Sequence, residues 1–376
     1  MTTISKRLLC AMMVGTACLT FAACGSATKQ SDDGTAIDLN SMELATIEEK
    51  AKEEGVVNSV GMPDTWANWK ETWADLKEKY GLEHTDTDMA SAEELATFEN
   101  EKKDASADIG DVGIAFGPEA VSRQLALPYK TSYYDEIPDW AKDPEGEGYW
   151  LLAYKGTMAF LIDTESTKGK VPVSWEEVSK GDYTLTIGDV SSGNQDQFVL
   201  HSAAVANGGD ETDIQPGLDY FAELAEEKRL NVQGSDTATL EAGEHQVVPM
   251  WDFNALAIQK TLNASSPDRF KVVIPQDGAS MSGYTTIINT YTKRPYAAAL
   301  TREYILSDDG QNNLARGHAR PIRDNVELDD DAKAALLPDS EYKNAKVAPI
   351  QDADAWNALL PKLGNLWQEN VISKMK

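Results

Sequence analysis

The chain has 376 residues, and 62 acidic residues against 34 basic ones give it a formal net charge of −28 at pH 7. A surface this acidic repels nucleic acids and anionic lipids, which excludes a partner recognised through a phosphate backbone. Hydrophobic residues make up 41% of a chain longer than one hydrophobic core usually serves, so we expect two domains or lobes.

The N-terminus is predicted to direct export. Lys6 and Arg7 precede an apolar stretch over residues 8–23, which is too short to span a bilayer comfortably. A basic start followed by a short apolar segment is typical of a signal peptide, here residues 1–23. Residues 21–24 (FAAC) resemble the bacterial lipobox, which implies a lipid on Cys24, although Phe replaces the usual Leu. The alternative is an ordinary signal peptide with an incidental cysteine.

The mature chain has little with which to build a cross-link or a metal site. Residues 24–40 are polar and small, and they are predicted to form a lipid-anchored flexible tether. Cys10 and Cys18 lie within the predicted signal peptide, so no disulfide is possible within one mature chain. The four histidines show no ligand spacing, and we expect neither a metal nor a cofactor.

Helices and strands alternate after the tether. Helices are predicted over 42–54, 65–80 and 92–103, and strands over 56–60, 82–87 and 107–112. Trp66, Trp69 and Trp73 share a face of the second helix, a spacing that favours a core stripe over a ligand box. The alternation predicts an α/β fold with a mostly parallel sheet.

The second half begins with a long apolar run over 150–163 that contains Lys155-Gly156. We interpret it as one strand that passes from one sheet to another. Later strands are predicted over 184–190, 246–251, 271–275 and 285–289, and helices over 174–179, 197–207, 218–228, 235–242, 294–307 and 354–371.

A set of short motifs follows in a fixed order. They are 48–57 (EEKAKEEGVV), 107–111 (ADIGD), 172–178 (PVSWEEV), 240–244 (LEAGE), 274–278 (IPQDG), 297–311 (AAALTREYILSDDGQ) and 317–323 (GHARPIR). In this order the motifs resemble the bacterial extracellular solute-binding proteins of ABC importers, in the group of iron, polyamine, thiamine and phosphonate binders.

The resemblance implies a two-lobed, periplasmic-binding-protein-like fold of type II. Each lobe would be a mixed, mostly parallel sheet flanked by helices, with the ligand in the cleft and capped by hinge closure. Residues 41–155 and 283–376, with the C-terminal helices, would form the first lobe, and residues 156–282 the second. The expected partners of this monomer are a small solute, a permease and ATPase complex, and the membrane through the lipid.

Ligands of such sheets bind beyond the carboxyl ends of the strands, where loops lead into helices. The candidate ligand-binding residues lie in those loops and at the point where the chain returns between the lobes: Ser59, Met62, Asp64, Asp111, Ser191, Ser192, Gly193, Trp251, Asp252 and Tyr284.

Two of the loops point to opposite ligand charges. Ser191, Ser192 and Gly193 precede a helix and suit a phosphate, phosphonate or carboxylate, unless they form a plain N-cap. Trp251 and Asp252 suit an ammonium group, unless they are a buried Trp and a capping Asp. We therefore expect an aminoalkylphosphonate- or polyamine-like solute, with ferric ion, thiamine and an organic acid as alternatives.

Residue types also bear on iron and on catalysis. Ferric binders of the group carry adjacent tyrosines where this chain has residues 248–253, which contain none, and we interpret Tyr133-Tyr134 as a packing pair. We expect no enzyme, because the motifs of serine hydrolases, zinc proteases and P-loop proteins do not occur. The alternative is a secreted, carboxylate-based glycoside hydrolase, since any two of the 62 acids could meet in space.

Overall fold

The computed structural model describes residues 29–30 and 36–375. The predicted signal peptide, the lipidation residue Cys24 and the first part of the tether lie outside the described residues. Within these ranges, no helix has the length and apolar character needed to cross a membrane.

Strands and helices alternate along most of the chain. The strands are β1 (Lys29–Gln30), β2 (Ala36–Ile37), β3 (Val56–Val60), β4 (Glu83–Thr87), β5 (Ile109–Gly113), β6 (Trp150–Asp163), β7 (Leu185–Thr186), β8 (Leu230–Asn231), β9 (Val247–Trp251), β10 (Phe270–Val273), β11 (Ala279–Ile288), β12 (Arg320–Pro321) and β13 (Val347–Pro349). The helices are α1 (Leu44–Glu54), α2 (Trp69–Tyr80), α3 (Ser91–Glu101), α4 (Phe116–Ser122), α5 (Trp175–Lys180), α6 (Asn194–Ala206), α7 (Gln215–Glu226), α8 (Thr237–Glu241), α9 (Asp252–Asn263), α10 (Pro295–Leu306), α11 (Asp308–Arg316), α12 (Asp330–Ala335) and α13 (Ala353–Asn370).

The strands form an α/β fold with two mixed sheets that share β6. The first sheet has the order β4-β3-β5-β11-β6, and the second continues from β6 through β9 and β7 to β8. Parallel pairs join β3 to β4 and β5, whereas β11 runs antiparallel to β5 and to β6. Helices flank both sheets, with α1 against α10 beside the first and α6 against α7 beside the second.

The long strand β6 passes from one sheet to the other, as its apolar run predicts. Its residues 150–157 pair with β11, and residues 158–162 pair with β9. The glycine at the crossing has a steric reason, because a Cβ on Gly156 would meet the ring of Phe253 at 2.6 Å. β6 and β11 therefore form the connection between the two sheets.

Two predicted elements differ from the structure. Helix α2 begins at Trp69 rather than after Asp64, because Ala67 and Asn68 adopt positive φ angles of 47° and 60° that a helix does not allow. The predicted strand over 184–190 is limited to Leu185–Thr186, since the following residues form a loop in which the Gly188 N–H donates to Asp196 at 2.8 Å.

The C-terminal helix α13 packs beside the second sheet. The ring of Trp356 lies 5.1 Å from that of Phe198 on α6, and the ring of Trp367 lies 5.2 Å from that of Phe221 on α7. Pro361 lies inside this helix without ending it. These contacts attach the last helix to α6 and α7.

Candidate functional site

Five aromatic side chains meet where β6 and β11 pass between the sheets: Trp66, Tyr154, Trp251, Phe253 and Tyr284, here called the aromatic site. The ring of Trp66 lies edge-on to those of Phe253 and Tyr284, each at 5.4 Å. Tyr154 stacks on Tyr284 at 5.7 Å, and Trp251 stacks on Phe253 at 6.3 Å. Four of the rings belong to the main hydrophobic core and Trp66 packs against it, and their electronegative faces would attract a cation placed against them.

The fold brings these rings together from both sheets. Trp66 belongs to the loop after β3 in the first sheet, whereas Trp251 ends β9 and Phe253 lies in the first turn of α9 beside the second. The two tyrosines of the site lie opposite each other in the pairing of β6 with β11. The aromatic site therefore contains residues from both sheets and from the strands that connect them.

A buried carboxyl group lies within hydrogen-bonding distance of this site. The Trp66 Nε1–H donates to the Tyr154 hydroxyl at 2.6 Å, and that hydroxyl donates to Asp111 Oδ2 at 2.6 Å. The Trp251 Nε1–H donates to the Tyr284 hydroxyl at 3.3 Å. The other oxygen of Asp111, Oδ1, is buried and has no hydrogen bond of acceptable geometry among the described residues, although the Trp69 indole N–H lies near this carboxyl group.

Burial controls the charge of this carboxyl group. Desolvation raises the pKa of Asp111 well above its ordinary value, although the Tyr154 hydroxyl and the Trp69 indole N–H oppose the rise. Burial also raises the pKa of Glu94, whose carboxylate accepts a hydrogen bond from the Asp111 N–H at 3.1 Å. In residues 36–375 no basic side chain forms an ion pair with either group. The ionised form of Asp111 therefore lacks a positive partner among the described residues.

Asn194 also contributes unpaired polar atoms. It is the first residue of α6 and is 5% exposed, and neither its Oδ1 nor its Nδ2 has a hydrogen-bond partner in the part of the chain that the structure describes. Its amide lies near the Tyr284 hydroxyl and favours ionisation of that group, but no hydrogen bond of acceptable geometry joins them. A Cβ on Gly113 of β5 would collide with this amide, so the glycine allows the two elements to approach.

Three of the predicted ligand-binding residues belong to this region. Asp111 provides its carboxyl group, Trp251 and Tyr284 provide rings, and all three are at least nine-tenths buried. Tyr284 lies on β11 between Gly113 of β5 and Tyr154 of β6, at the crossing where the sequence predicts it.

The predicted residues of the first loop have a different environment. The Ser59 hydroxyl donates to Asp86 at 2.5 Å, and the Met62 N–H donates to the same carboxyl oxygen at 3.0 Å. Ser59 and Met62 are buried, whereas Asp64 is exposed. The structure uses Ser59 and Met62 to shape the loop that leads to Trp66.

The serine-rich loop is organised around a carboxylate. The Ser191 and Ser192 hydroxyls donate to Asp189 at 2.6 and 2.8 Å, and the Gly193 N–H donates to the Asp189 carbonyl at 2.8 Å. Hydrogen bonds from the Ser191 and Ser192 hydroxyls lower the pKa of Asp189 below its ordinary value, because together they outweigh the opposite effect of burial. Both serines line a cavity of about 590 Å³ together with residues of α4 and α13. A negative charge beside these hydroxyls disfavours an anionic ligand there.

Asp252 is fully engaged within the protein. Its Oδ1 accepts from the backbone N–H of Phe253 at 2.9 Å and of Thr157 at 3.1 Å, and its Oδ2 accepts from the Tyr342 hydroxyl at 2.5 Å. Burial raises the pKa of this carboxyl group to about 6 despite these bonds. These bonds hold the carboxyl group at the first residue of α9, whose N-cap is Trp251.

Sequence reasoning missed four residues of the region: Trp66, Tyr154, Phe253 and Asn194. Trp66 packs against the same hydrophobic core as Trp69 and Trp73, as the predicted core stripe requires, but it lies in the loop before α2. Phe253 follows Trp251 directly, and Asn194 follows the serine-rich loop, so their places after strands were the available signal. Nothing in the apolar run of β6 distinguishes Tyr154 from its neighbours.

No group of three or more His, Cys, Asp or Glu side chains in the described ranges could hold a metal ion.

Tyr133 and Tyr134 lie outside the aromatic site, and the ring of each contacts a basic side chain. The Arg323 guanidinium lies 4.2 Å from the ring of Tyr133, and the Lys142 ammonium lies 4.7 Å from the ring of Tyr134.

Comparison with known proteins identifies a family whose sequence model matches this chain. The sequence model of a family described as bacterial extracellular solute-binding protein matches residues 104–348. No curated protein matches the chain.

Solved structures share the fold at low sequence identity. The periplasmic binding protein AfuA from Actinobacillus pleuropneumoniae, with exogenous fructose-6-phosphate bound, has a TM-score of 0.68 at 16% identity, over 84% of this chain and 98% of that one. A ferric binding protein from Campylobacter jejuni has a TM-score of 0.64 at 17% identity, over 83% and 98%. An ABC transporter from Clostridium perfringens has a TM-score of 0.60 at 22% identity, over 84% and 99%. These structures agree with the type II periplasmic-binding-protein fold.

Proposed function

The chain belongs to the bacterial extracellular solute-binding proteins, and from that premise we propose that it captures a small organic ammonium solute in the aromatic site and delivers it to an ABC permease. The family's description is that of extracellular proteins that bind solutes, so we expect the chain to work with a transport complex in the membrane rather than as an enzyme. The family match gives no support to a secreted glycoside hydrolase.

One observation carries the choice of a cation. Asp111 is 2% exposed, has a free carboxyl oxygen, and is bonded through Tyr154 to a group of aromatic rings. A buried carboxylate is costly unless it is paired, and a positively charged ligand would supply the pair. Electronegative ring faces add cation–π attraction to the same ligand.

The remaining charges agree with a cation. Asp86 and Glu94 lie near Asp111 and raise the negative potential around it. In the serine-rich loop, Asp189 already accepts the hydroxyl hydrogen bonds that an oxyanion would need. Of the two solute types expected from sequence, the polyamine-like one is therefore favoured over the aminoalkylphosphonate, and ferric ion, thiamine and organic acids remain weaker alternatives.

Capture requires closure of two lobes on the solute. We assign residues 41–155 to the first lobe and 156–282 to the second, with the return to the first lobe at 283 in β11. The packing of α13 on α6 and α7 supports placing the last helix with the second lobe, which differs from its sequence assignment to the first. Lobe closure around a ligand at the crossing strands is a hinge motion of the kind that such folds use.

Attachment to the membrane would support delivery. A lipid on Cys24 and the tether that follows it would hold the protein close to its permease and raise its effective concentration there. Replacement of Cys24 by Ser is expected to abolish lipid labelling of the protein, whether or not the signal peptide is cleaved. Incorporation of radiolabelled palmitate into C24S at the level of the unaltered chain would contradict the anchor.

A binding screen tests the proposed solute class. Calorimetric titrations would compare polyamines, monoamines, phosphonates, thiamine, ferric ion and organic acids under one buffer condition. We expect saturable binding of at least one organic ammonium ion and none of a simple dianion. Binding of an anion, with no ammonium compound bound, would contradict the proposed function.

A further inference from the structure

The protein leaves several buried hydrogen-bonding atoms unsatisfied in the region of the aromatic site. Asp111 Oδ1 and both amide atoms of Asn194 have no hydrogen-bond partner of acceptable geometry within the described ranges, and neither has the Trp69 indole N–H, which lies near Asp111. Asp111 is 2% exposed and Asn194 is 5% exposed.

Most buried polar groups in folded proteins have partners, and a group without one calls for a ligand or another explanation. The unsatisfied set contains two acceptors, the oxygens of Asp111 and Asn194, and two donors, the N–H groups of the Asn194 amide and the Trp69 indole. Interchange of the amide oxygen and nitrogen of Asn194 would leave an acceptor in either orientation, because both atoms lack partners. A ligand with hydrogen-bond donors and a positive charge would satisfy both acceptors.

This requirement separates two kinds of organic cation. A primary ammonium group carries three N–H donors, whereas a fully methylated ammonium group carries the same charge and no donor. Aromatic faces attract both kinds of cation. Only the primary ammonium group would also satisfy the buried oxygens, and a site that must pair with an N–H strongly rejects an analogue that lacks it.

Resting on the proposed function, we propose that the solute carries a primary ammonium group whose N–H donors pair with Asp111 and Asn194, and that Asn194 is the residue that excludes fully methylated ammonium compounds. Asp111 supplies the counter-charge and Asn194 supplies the requirement for a donor. Because Asp111 lies on β5 and Asn194 on α6, one ammonium group bonded to both would connect the first sheet to a helix of the second.

The collision predicted for a Cβ on Gly113 shows how closely Asn194 approaches β5. Gly113 lies two residues after Asp111 on the same strand, and Tyr284 pairs directly with Gly113 on the neighbouring strand. Asn194 is thus positioned beside the strand that carries the counter-charge.

Matched cations test this inference on the full chain purified in mild detergent. Putrescine and its permethylated bis-quaternary analogue would be titrated calorimetrically against the unaltered protein, N194A and N207A. Asn207 lies at the other end of α6, where its Nδ2–H donates to the Ala203 carbonyl at 2.8 Å, and serves as the control. Thermal unfolding of each variant would establish that it is folded.

We expect the unaltered protein and N207A to prefer putrescine over the analogue by at least about 100-fold. In N194A, putrescine binding should weaken by at least about tenfold, whereas binding of the analogue should stay the same, so that the preference shrinks.

Two results would overturn the inference in distinguishable ways. Equal or tighter binding of the permethylated analogue by the unaltered protein would refute the donor requirement and leave the organic-cation function standing. An undiminished preference in folded N194A would refute the role of Asn194 alone. Failure of every ammonium compound in the wider screen, with binding of an anion, would instead overturn the proposed function itself.

Discussion

Two buried aspartates, Asp163 and Asp111, differ in their partners, and their pKa values are shifted in opposite directions. Asp163 is 1% exposed and accepts two hydrogen bonds from Arg269, each at 2.9 Å, which outweigh burial and lower its pKa. Asp111 is similarly buried, but its neighbouring donors, Tyr154 and Trp69, are neutral, so burial raises its pKa. A buried carboxyl group without a charged partner, such as that of Asp111, destabilises the fold when it is ionised, and such groups are common at functional sites.

Replacement of Asp111 by Asn is expected to remove ligand affinity and to increase stability. Loss of the counter-charge should weaken binding of an organic ammonium ion by at least about 100-fold. A raised pKa in the folded state means that ionisation destabilises the fold as pH rises above the unfolded value, so the neutral amide should raise the unfolding temperature at pH 7. Calorimetric titration and thermal melting measure the two effects.

Asp163 provides the control for this substitution. D163N should leave ligand affinity unchanged and lower the unfolding temperature, because the stabilising pair with Arg269 is lost. Unchanged affinity in folded D111N would contradict the assignment of Asp111.

Binding is also expected to depend on pH through Asp111. The charged and titratable groups around it are Glu94, Asp86 and Tyr154, and burial raises the pKa of each. Below the raised pKa of Asp111 the carboxyl group is protonated, so a cation must displace a proton in order to bind. Affinity should therefore fall as pH falls, and titrations in buffers of different ionisation enthalpy should show proton release. Proton uptake, or affinity that rises on acidification, would contradict this linkage.

At this scale the sequence predicts positions better than roles. The rule that ligands bind beyond strand ends points to Asp111 and Trp251, and the expected return of the chain between the lobes points to Tyr284, so their contact with a ligand stays a prediction. Neither argument shows that Asp252 is bonded within the protein, because that depends on Thr157 and Tyr342, which are far away in sequence. Trp66 was missed because a spacing of three and seven residues indicates one helix face only where the backbone is helical.

At the level of single elements, some features follow from the local sequence pattern, whereas others depend on tertiary contacts. The apolar length of β6 and its central glycine predict a strand that crosses between sheets, and the pairing confirms it. The reduction of β7 to two residues could not be predicted, because the loop after it depends on the bond between Asp196 and Gly188.

Helix α13 is expected to be an integral part of the second lobe. Trp367 is 3% exposed and packs on Phe221 of α7, so W367A should lower the free energy of unfolding by about 3–5 kcal/mol. W140A is the control, because Trp140 is 44% exposed and its truncation should change stability by less than about 0.5 kcal/mol. Urea denaturation of both variants measures the difference. Equal stability of W367A and the unaltered chain would contradict this placement of α13.

The whole molecule consists of two sheets connected by β6 and β11, with the aromatic site at the connection. Residues of both sheets contact one another there, as the ring of Trp66 does with that of Phe253. The acidic composition of the protein favours long-range attraction of cations, which accelerates their association with the protein and weakens with added salt.

A side chain added at Gly113 is expected to hinder closure. In G113A the new methyl group would collide with Asn194 across the two elements, so the solute should bind at least about tenfold more weakly and scattering should show a less compact protein. G181A is the control, because its crowding is with Tyr183 beside the second sheet and remote from the site. An affinity for G113A equal to that of the unaltered chain would refute this account of closure.

A crystal structure of the chain with a bound organic ammonium solute tests the central claim most directly. We expect the ammonium nitrogen at about 3 Å from Asp111 Oδ1, enclosed by the rings of Trp66, Tyr154, Trp251, Phe253 and Tyr284. A solute bound instead at Ser191 and Ser192, with the aromatic site unchanged and Asp111 unpaired, would contradict it.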